Sequence, residues 1–387
     1  MATDKILIVD DEPDLEMLIR QRFRREVREG RYEFVFARNG VEALAHLRDD
    51  QQIEVVLSDI NMPEMDGLTL LGQIAQLENP VLKAVIVSAY GDMENIRTAM
   101  NRGAFDFLTK PIDFRDLEIT IKKTLDQLAT LKNALKARDE LVSLQKELHL
   151  AARIQQSIVP RKFPPFPGRN DVDILAEMWP AREVGGDFYD FFLLDSRHLG
   201  FVIGDVSGKG MPAAIFMALT RALLKATAQR ADSPSECMER VNTLLCAEST
   251  AGLFVTGFYG ILDTETGALQ YTFAGHPPPY RIEPGGRVTP LPGQPGMILG
   301  IFEGAQFVTS RSRLAHGDTV FLFTDGVTEA QDPAGNLYGE ERLEAFLATL
   351  GGVPLSELLS RTVEEIHIFA AGAPQSDDLT LLAVRWR

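Results

Sequence analysis

Residues 4–11, DKILIVDD, carry four apolar residues directly into two carboxylates. An unbroken apolar run of this length reads as a strand buried on both faces. The pattern recurs downstream. VVLSD at 55–59 ends on Asp59, AVIVS at 84–88 ends on Ser88, and DFLTKP at 106–111 ends on Lys110 and Pro111. Together with 33–37, the strand-like runs fall at 5–9, 33–37, 55–57, 84–88 and 106–108. Amphipathic stretches at about 14–28, 40–49, 66–77, 92–102 and 113–125 lie between or after them. Five βα units in series predict a five-stranded parallel sheet with helices on both faces. Such a sheet collects its chemistry at the carboxyl ends of its strands.

That end would hold Asp10, Asp11 and Asp59, with Asn61 just beyond. Three clustered carboxylates require a cation, and hard oxygen donors suit Mg²⁺. A lysine beside them counters charge on a phosphoryl group, and a serine hydroxyl can hydrogen-bond it. Any one of these Asp residues could simply cap a helix, but capping does not account for the whole set. With these motifs, residues 4–125 resemble a response-regulator receiver domain. The resemblance implies that Asp59 accepts a phosphoryl group delivered through a sensor histidine kinase. It implies Mg²⁺ held by Asp10, Asp11, Asp59 and the Asn61 carbonyl, with Ser88 and Lys110 on the phosphoryl oxygens. Phe107 would be the aromatic switch, and the Lys110–Pro111 peptide would be cis.

Between Ile112 and Pro160 there is neither glycine nor proline. Apolar residues recur at Leu128, Leu131, Leu135, Leu141, Leu144, Leu148, Ala151 and Ile154. The spacing alternates threes and fours, then breaks between Leu135 and Leu141, as a stammer does in a coiled coil. Either a long helix packs within one chain, or a parallel pair of helices joins two copies. Pro160 and the run FPPFPG at 163–168 stop the helix. The expected organisation is a domain at 1–125, a helical linker at 126–165 and a second domain at 166–387.

That second domain reads as strands at 172–178, 188–194, 199–205, 254–263, 268–274, 279–283, 319–324 and 379–385. Helical stretches fall near 211–229, 234–249, 339–349 and 354–370, which predicts an α+β fold. Four Asp-rich elements punctuate it: EVGGDFYD (183–190), GDVSGKG (204–210), FTDGVTEA (323–330) and SDDLT (376–380). Glycine beside a carboxylate lets backbone approach a ligand. GDVSGKG fails the spacing of a nucleotide-binding glycine loop. No histidine or cysteine ligands accompany the four elements, so an oxygen-ligated pair of Mg²⁺ or Mn²⁺ ions is the matching chemistry. Two such ions can clamp phosphate oxygens for in-line displacement. Singly, each Asp-Gly pair is an ordinary turn.

The ordered set resembles the SpoIIE-like branch of the PPM metal-dependent Ser/Thr phosphatases over about 145–387, as do AARIQQSIVP (151–160) and the AGHPPP stretch (274–279). The resemblance implies a β-sandwich flanked by helices. It also implies metal binding by Asp187, Asp205, the Val206 carbonyl, Asp325 and Asp377, with Asp377 preferred over Asp378. Asp190 would lie outside the ligand set, and Arg182 would be a candidate phosphate contact. The implied activity is hydrolysis of phosphoserine or phosphothreonine, controlled by Asp59 phosphorylation. The implied substrate is a STAS-type antagonist of an anti-sigma factor. The alternative is an inactive adaptor that binds a protein partner.

Composition bounds the rest. The 387 residues imply two or three domains, and a net charge of −16 disfavours nucleic acid. Two cysteines without metal-ligand spacing, no run of about 20 apolar residues and no signal-like start predict a cytoplasmic protein away from membranes.

Overall fold

The computed structural model describes residues 3–89, 91–248 and 252–387. The chain divides into two compact units, Met1–Leu144 and Gln145–Arg387.

In the first unit, β1 (Asp4–Val9), β2 (Tyr32–Ala37), β3 (Ile53–Asp59), β4 (Lys83–Ala89) and β5 (Asp106–Lys110) form one parallel sheet, ordered β2-β1-β3-β4-β5. Alternate residues enter two cores, which explains the continuous apolar runs. Leu7, Val9, Val56 and Ile86 face one core, and Ile6, Ile8, Val55 and Val85 the other. The helices are α1 (Pro13–Arg22), α2 (Arg24–Arg28), α3 (Gly40–Asp49), α4 (Gly67–Gln76) and α5 (Met93–Asn101). The single helix expected at 14–28 is broken at Phe23. Its ring is buried against Tyr32 and Phe34, a tertiary contact that local pattern does not show.

One helix, α6 (Phe114–Ile158), covers both the last receiver-like stretch and the expected linker as far as Ile158. The division between the two units falls inside it, at Leu144/Gln145. Leu117, Ile121 and Leu128 pack into the first unit's core, and Lys132 ion-pairs with Glu54. Farther on, Leu141, Leu144 and Ile154 are 61%, 53% and 57% exposed. That seam is uncovered.

The second unit contains two antiparallel five-stranded sheets. One is ordered β13-β10-β9-β8-β7, from β7 (Phe188–Leu193), β8 (His198–Val206), β9 (Val255–Asp263), β10 (Ala268–Ala274) and β13 (Ser310–Arg313). The other is ordered β12-β11-β14-β15-β6, from β6 (Val172–Trp179), β11 (Tyr280–Ile282), β12 (Val288–Pro290), β14 (Thr319–Phe323) and β15 (Leu379–Trp386). Helices α7 (Met211–Ala228) and α8 (Pro234–Glu248) pack on the first sheet, and α10 (Glu340–Ala348) and α11 (Leu355–Ala370) on the second. A short α9 (Asp325–Thr328) follows β14. Strand alternation sorts the layers. Val320, Leu322, Leu382 and Val384 point between the sheets, while Phe321, Phe323, Leu381 and Ala383 meet α10 and α11.

The short elements β12, β13 and α9 escape a periodicity reading because each has only three or four residues. The final residue of the helix expected at 234–249 lies outside the described residues. Among the described residues α7 is long and apolar enough to cross a membrane by length and composition alone, although Arg221 and Lys225 interrupt its apolar run. Its Ala213, Phe216, Met217, Leu224 and Ala228 belong to the core against the first sheet, which accounts for its apolar character.

Candidate functional site

The first unit brings together carboxylate oxygens of Asp10, Asp11 and Asp59 within 4.8 Å of one another. Asp10 and Asp59 are buried and Asp11 is exposed. Lys110 Nζ lies 2.8 Å from Asp59 Oδ2, 3.0 Å from Asp10 Oδ2 and 3.0 Å from Glu12 Oε1. Glu12 was not singled out from sequence. Burial alone would lower the Lys110 pKa, but its hydrogen bonds to Asp59, Asp10 and Glu12 outweigh that and raise it. Burial raises Asp10, against the Glu12 N–H and Lys110. Apart from its ion pair with Lys110, buried Asp10 Oδ2 has no hydrogen-bond partner, so it keeps capacity for a hard cation.

A cleft of about 510 Å³, lined by Asp10, Glu12, Leu15, Lys110 and Phe114 among others, opens here. Gly67 must remain glycine, since a Cβ would sit 2.2 Å from the Asp59 carbonyl. Ser88 is buried at the end of β4, with its hydroxyl 3.5 Å from Asp92 rather than on Asp59. Asn61 lies exposed in the loop after β3, and Phe107 is 39% exposed. The Lys110–Pro111 peptide is cis.

In the second unit, Asp187 precedes β7, Asp205 lies near the end of β8, Asp325 opens α9 and Asp377 stands before β15. Both sheets therefore contribute. Asp187 Oδ2 accepts hydrogen bonds from Thr324 Oγ1 (2.7 Å) and Thr380 Oγ1 (2.5 Å). Asp378 is committed to backbone. Its Oδ1 accepts from Ala181 N–H at 2.8 Å, and its Oδ2 from Gly186 N–H at 2.7 Å. Asp377 Oδ2 instead ion-pairs with Lys209 Nζ at 3.0 Å.

Glycines permit this crowding. A Cβ on Gly185 would lie 1.9 Å from Asp378 Oδ2, on Gly186 2.6 Å from the Val206 carbonyl, and on Gly326 2.0 Å from the Asp378 carbonyl. Burial raises Asp187 well above the carboxylate range, with Asp205 and Asp378 adding to it. Burial, then Asp325, pushes Asp205 up to about 7. Burial, then Glu329 and Asp377, raises Asp325. Desolvated anions that repel one another suit hard divalent cations. This group is more open than the first, since among the described residues only Asp10, Asp11 and Asp59 meet the 4.8 Å spacing. Asp190 is elsewhere: it pairs with Arg221 (2.8 Å) and Lys225 (3.7 Å) on α7. Arg182 is exposed, with no partner among the described residues.

Two side chains inside motifs noted in the sequence had been given no role. Gln155, on α6, bonds both polar groups of Gly185, donating to its carbonyl at 2.5 Å and accepting from its N–H at 3.2 Å. His276 bridges Thr256 Oγ1 (3.2 Å) and the Phe323 carbonyl (3.1 Å). Gln and His within otherwise apolar or Pro-rich motifs were the available signals, but their partners are remote in sequence.

Comparison with known proteins fits this geometry. Residues 6–122 match the model described as response regulator receiver domain, and residues 195–387 match stage II sporulation protein E (SpoIIE). The chain is a receiver joined to a SpoIIE-type domain. Asp187 and Gln155 lie upstream of the matched SpoIIE residues. Protein IcfG of Synechocystis is 31% identical over 265 residues, covering 62% of this chain and 41% of that protein. Phosphoserine phosphatase RsbU of Bacillus subtilis is 29% identical over 194 residues, covering 50% and 57%. The chain thus spans about half the length of these relatives. The SiaA-PP2C domain of Pseudomonas aeruginosa superposes with a TM-score of 0.57 at 23% identity, covering 64% of this chain and 99% of that one. The SpoIIE-type unit has the PP2C-type phosphatase fold.

The raised Asp205 pKa has a consequence for stability. A folded-state pKa above the unfolded value gives stability that is present at low pH and lost as pH rises through about 7. In chelator, melting of the SpoIIE-type unit should therefore weaken between pH 5 and pH 8. Both tryptophans, Trp179 and Trp386, lie in that unit and report it by fluorescence. Asp205→Asn should reduce the loss, by on the order of 2 kcal/mol at pH 8, with Asp187 and Asp325 carrying the remainder. Equal melting of variant and parent at pH 8 would contradict the electrostatic account.

Proposed function

We propose that this protein is a two-component output enzyme. Its receiver is phosphorylated on Asp59 by a sensor histidine kinase, and the SpoIIE-type unit hydrolyses phosphoserine or phosphothreonine on a protein. The observation that carries the proposal is the convergence of Asp187, Asp205, Asp325 and Asp377 from strand ends of two sheets, with three of them desolvated. In this reading Asp187, Asp205, the Val206 carbonyl, Asp325 and Asp377 hold two Mg²⁺ or Mn²⁺ ions, while Asp10, Asp11, Asp59 and the Asn61 carbonyl hold one Mg²⁺. Bound divalent ions supply an activated water and offset charge on phosphoryl oxygens.

The chain's own groups do the positioning. Thr324 and Thr380 direct Asp187, and Asp378 holds the Gly186–Asp187 backbone. Asp377 keeps its outer oxygen for Lys209 or a cation. In the receiver, Lys110 orients Asp59 and would neutralise the incoming phosphoryl group. Likeness to RsbU, a phosphoserine phosphatase, supports phosphoserine as the target, and the resemblance to the SpoIIE-like branch makes a STAS-type antagonist of an anti-sigma factor the proposed substrate.

The primary test is Mn²⁺- or Mg²⁺-dependent hydrolysis of a phosphoserine protein, with and without a small-molecule phosphodonor. Asp325→Asn should lower turnover by about a hundredfold or more. Asp59→Asn should abolish only the response to the donor. An adaptor would instead signal normally with Asp205→Asn, and that result would end the enzyme proposal.

Helix α6 is the proposed route of control, because Gln155 hydrogen-bonds the Gly185 backbone two residues before Asp187. Gln155→Ala leaves two buried backbone groups unpaired, at about 1–3 kcal/mol each. It should lower turnover and remove dependence on Asp59 phosphorylation; a variant retaining the full response would disprove this route. The uncovered seam of α6 supports self-association through a paired helix. Sedimentation should find a dimer, and Leu141→Lys with Leu144→Lys should yield monomer.

A further inference from the structure

Resting on the metal-site function proposed above, we propose that His276 is a positioning residue that sets the separation of the metal carboxylates contributed by the two sheets. His276 follows β10 and is 3% exposed. Its two ring nitrogens contact different sheets. On one side, Nε2 lies 3.1 Å from the carbonyl of Phe323, the last residue of β14. Two residues later comes Asp325. On the other side, Nδ1 lies 3.2 Å from Thr256 Oγ1, and Thr256 is the cross-strand partner of Asp205 in the β8–β9 ladder.

Chemistry assigns the protons. A carbonyl only accepts, so Nε2 carries the hydrogen, and the neutral ring then presents Nδ1 as an acceptor for the Thr256 hydroxyl. Burial favours that neutral form, lowering the imidazole pKa to about 4. One rigid ring therefore spans the gap between the strand bearing Asp205's neighbour and the strand leading to Asp325. The sheets of this sandwich also meet through apolar side chains such as Leu322 and Val384. Apolar packing fixes their distance but tolerates sliding, whereas hydrogen bonds at both ends of a planar ring also fix register. Thr324, just past β14, and Thr380, in β15, make a like tie from the second sheet to Asp187, which stands ahead of β7 in the first. His276 is a second tie from sheet to sheet, on the side of Asp205 and Asp325.

The test measures metal affinity, not turnover. The full chain carries Asp11→Asn to silence the receiver cation, and Mn²⁺ is titrated by calorimetry. His276→Gln and Thr256→Val should each weaken Mn²⁺ binding by about tenfold, as outer partners of metal ligands do. The double variant should be no weaker than the worse single, because the two changes break one connection. Thr272→Val, at another buried hydroxyl of the same sheet, should leave affinity unchanged. If His276→Gln and Thr256→Val lower the melting temperature yet bind Mn²⁺ within twofold of the parent, His276 is an ordinary core histidine and the proposal falls. If affinity falls equally with Thr272→Val, general loosening of the core is the cause, and the proposal falls as well. If the parent shows no Mn²⁺ binding that Asp325→Asn abolishes, the metal-site function itself is wrong, and this proposal fails with it.

Discussion

Carboxylates taken out of water and placed side by side repel one another, and both units are organised around that constraint. Such clusters persist only where a cation or a donor array offsets the charge. The receiver resolves it with one lysine: Lys110 reaches Asp10, Glu12 and Asp59 together. The SpoIIE-type unit uses neutral donors instead. Thr324 and Thr380 hydroxyls hold Asp187, and backbone N–H groups hold Asp378. Lysine enters only at the rim, where Lys209 meets Asp377. Burial first, and repulsion between neighbouring carboxylates second, displaces Asp187, Asp205 and Asp325 upward.

The supporting scaffold follows from that placement. In the parallel sheet, all strands point the same way, so one sheet suffices to bring Asp10 and Asp59 together. An antiparallel sandwich has no such common end, and its carboxylates must come from loops and strand ends of two sheets. Register between the sheets then matters, and polar ties at Gln155, Asp378 and His276 cluster where it matters most. Gly185, Gly186 and Gly326 are the counterpart of these ties, since side chains there would occupy the space of Asp378 or Val206.

Helix α6 joins a well-packed beginning to an uncovered middle and a buried anchor. Leu128 is buried in the receiver core, Leu141 and Leu144 face solvent, and Gln155 is buried against Gly185. A helix transmits rotation or displacement along its length because its backbone hydrogen bonds are internal. Coupling through it requires two discrete packings that both sites bias. The break in apolar spacing, between Leu135 and Leu141, lies between the packed beginning and the uncovered middle.

Strand and helix identities, the order of the Asp motifs and both fold classes were legible in the sequence. Hydrophobic period and Gly or Pro punctuation are local properties, so DKILIVDD and FTDGVTEA announce strand ends without any partner in view. The break at Phe23, the short β12, β13 and α9, and the continuity of α6 across the unit division were not legible, because each depends on packing or falls below the length of a period. Function at the level of residues divided the same way. The sequence by itself determined which acids stand at strand ends. Only the tertiary structure showed Asp378 bonded to backbone and Asp377 to Lys209, sent Asp190 to Arg221, and joined Gln155 to Gly185 and His276 to Thr256 and Phe323. Those pairings span 20 to 197 residues, and a hydrogen bond over such a distance exists only after the chain has folded.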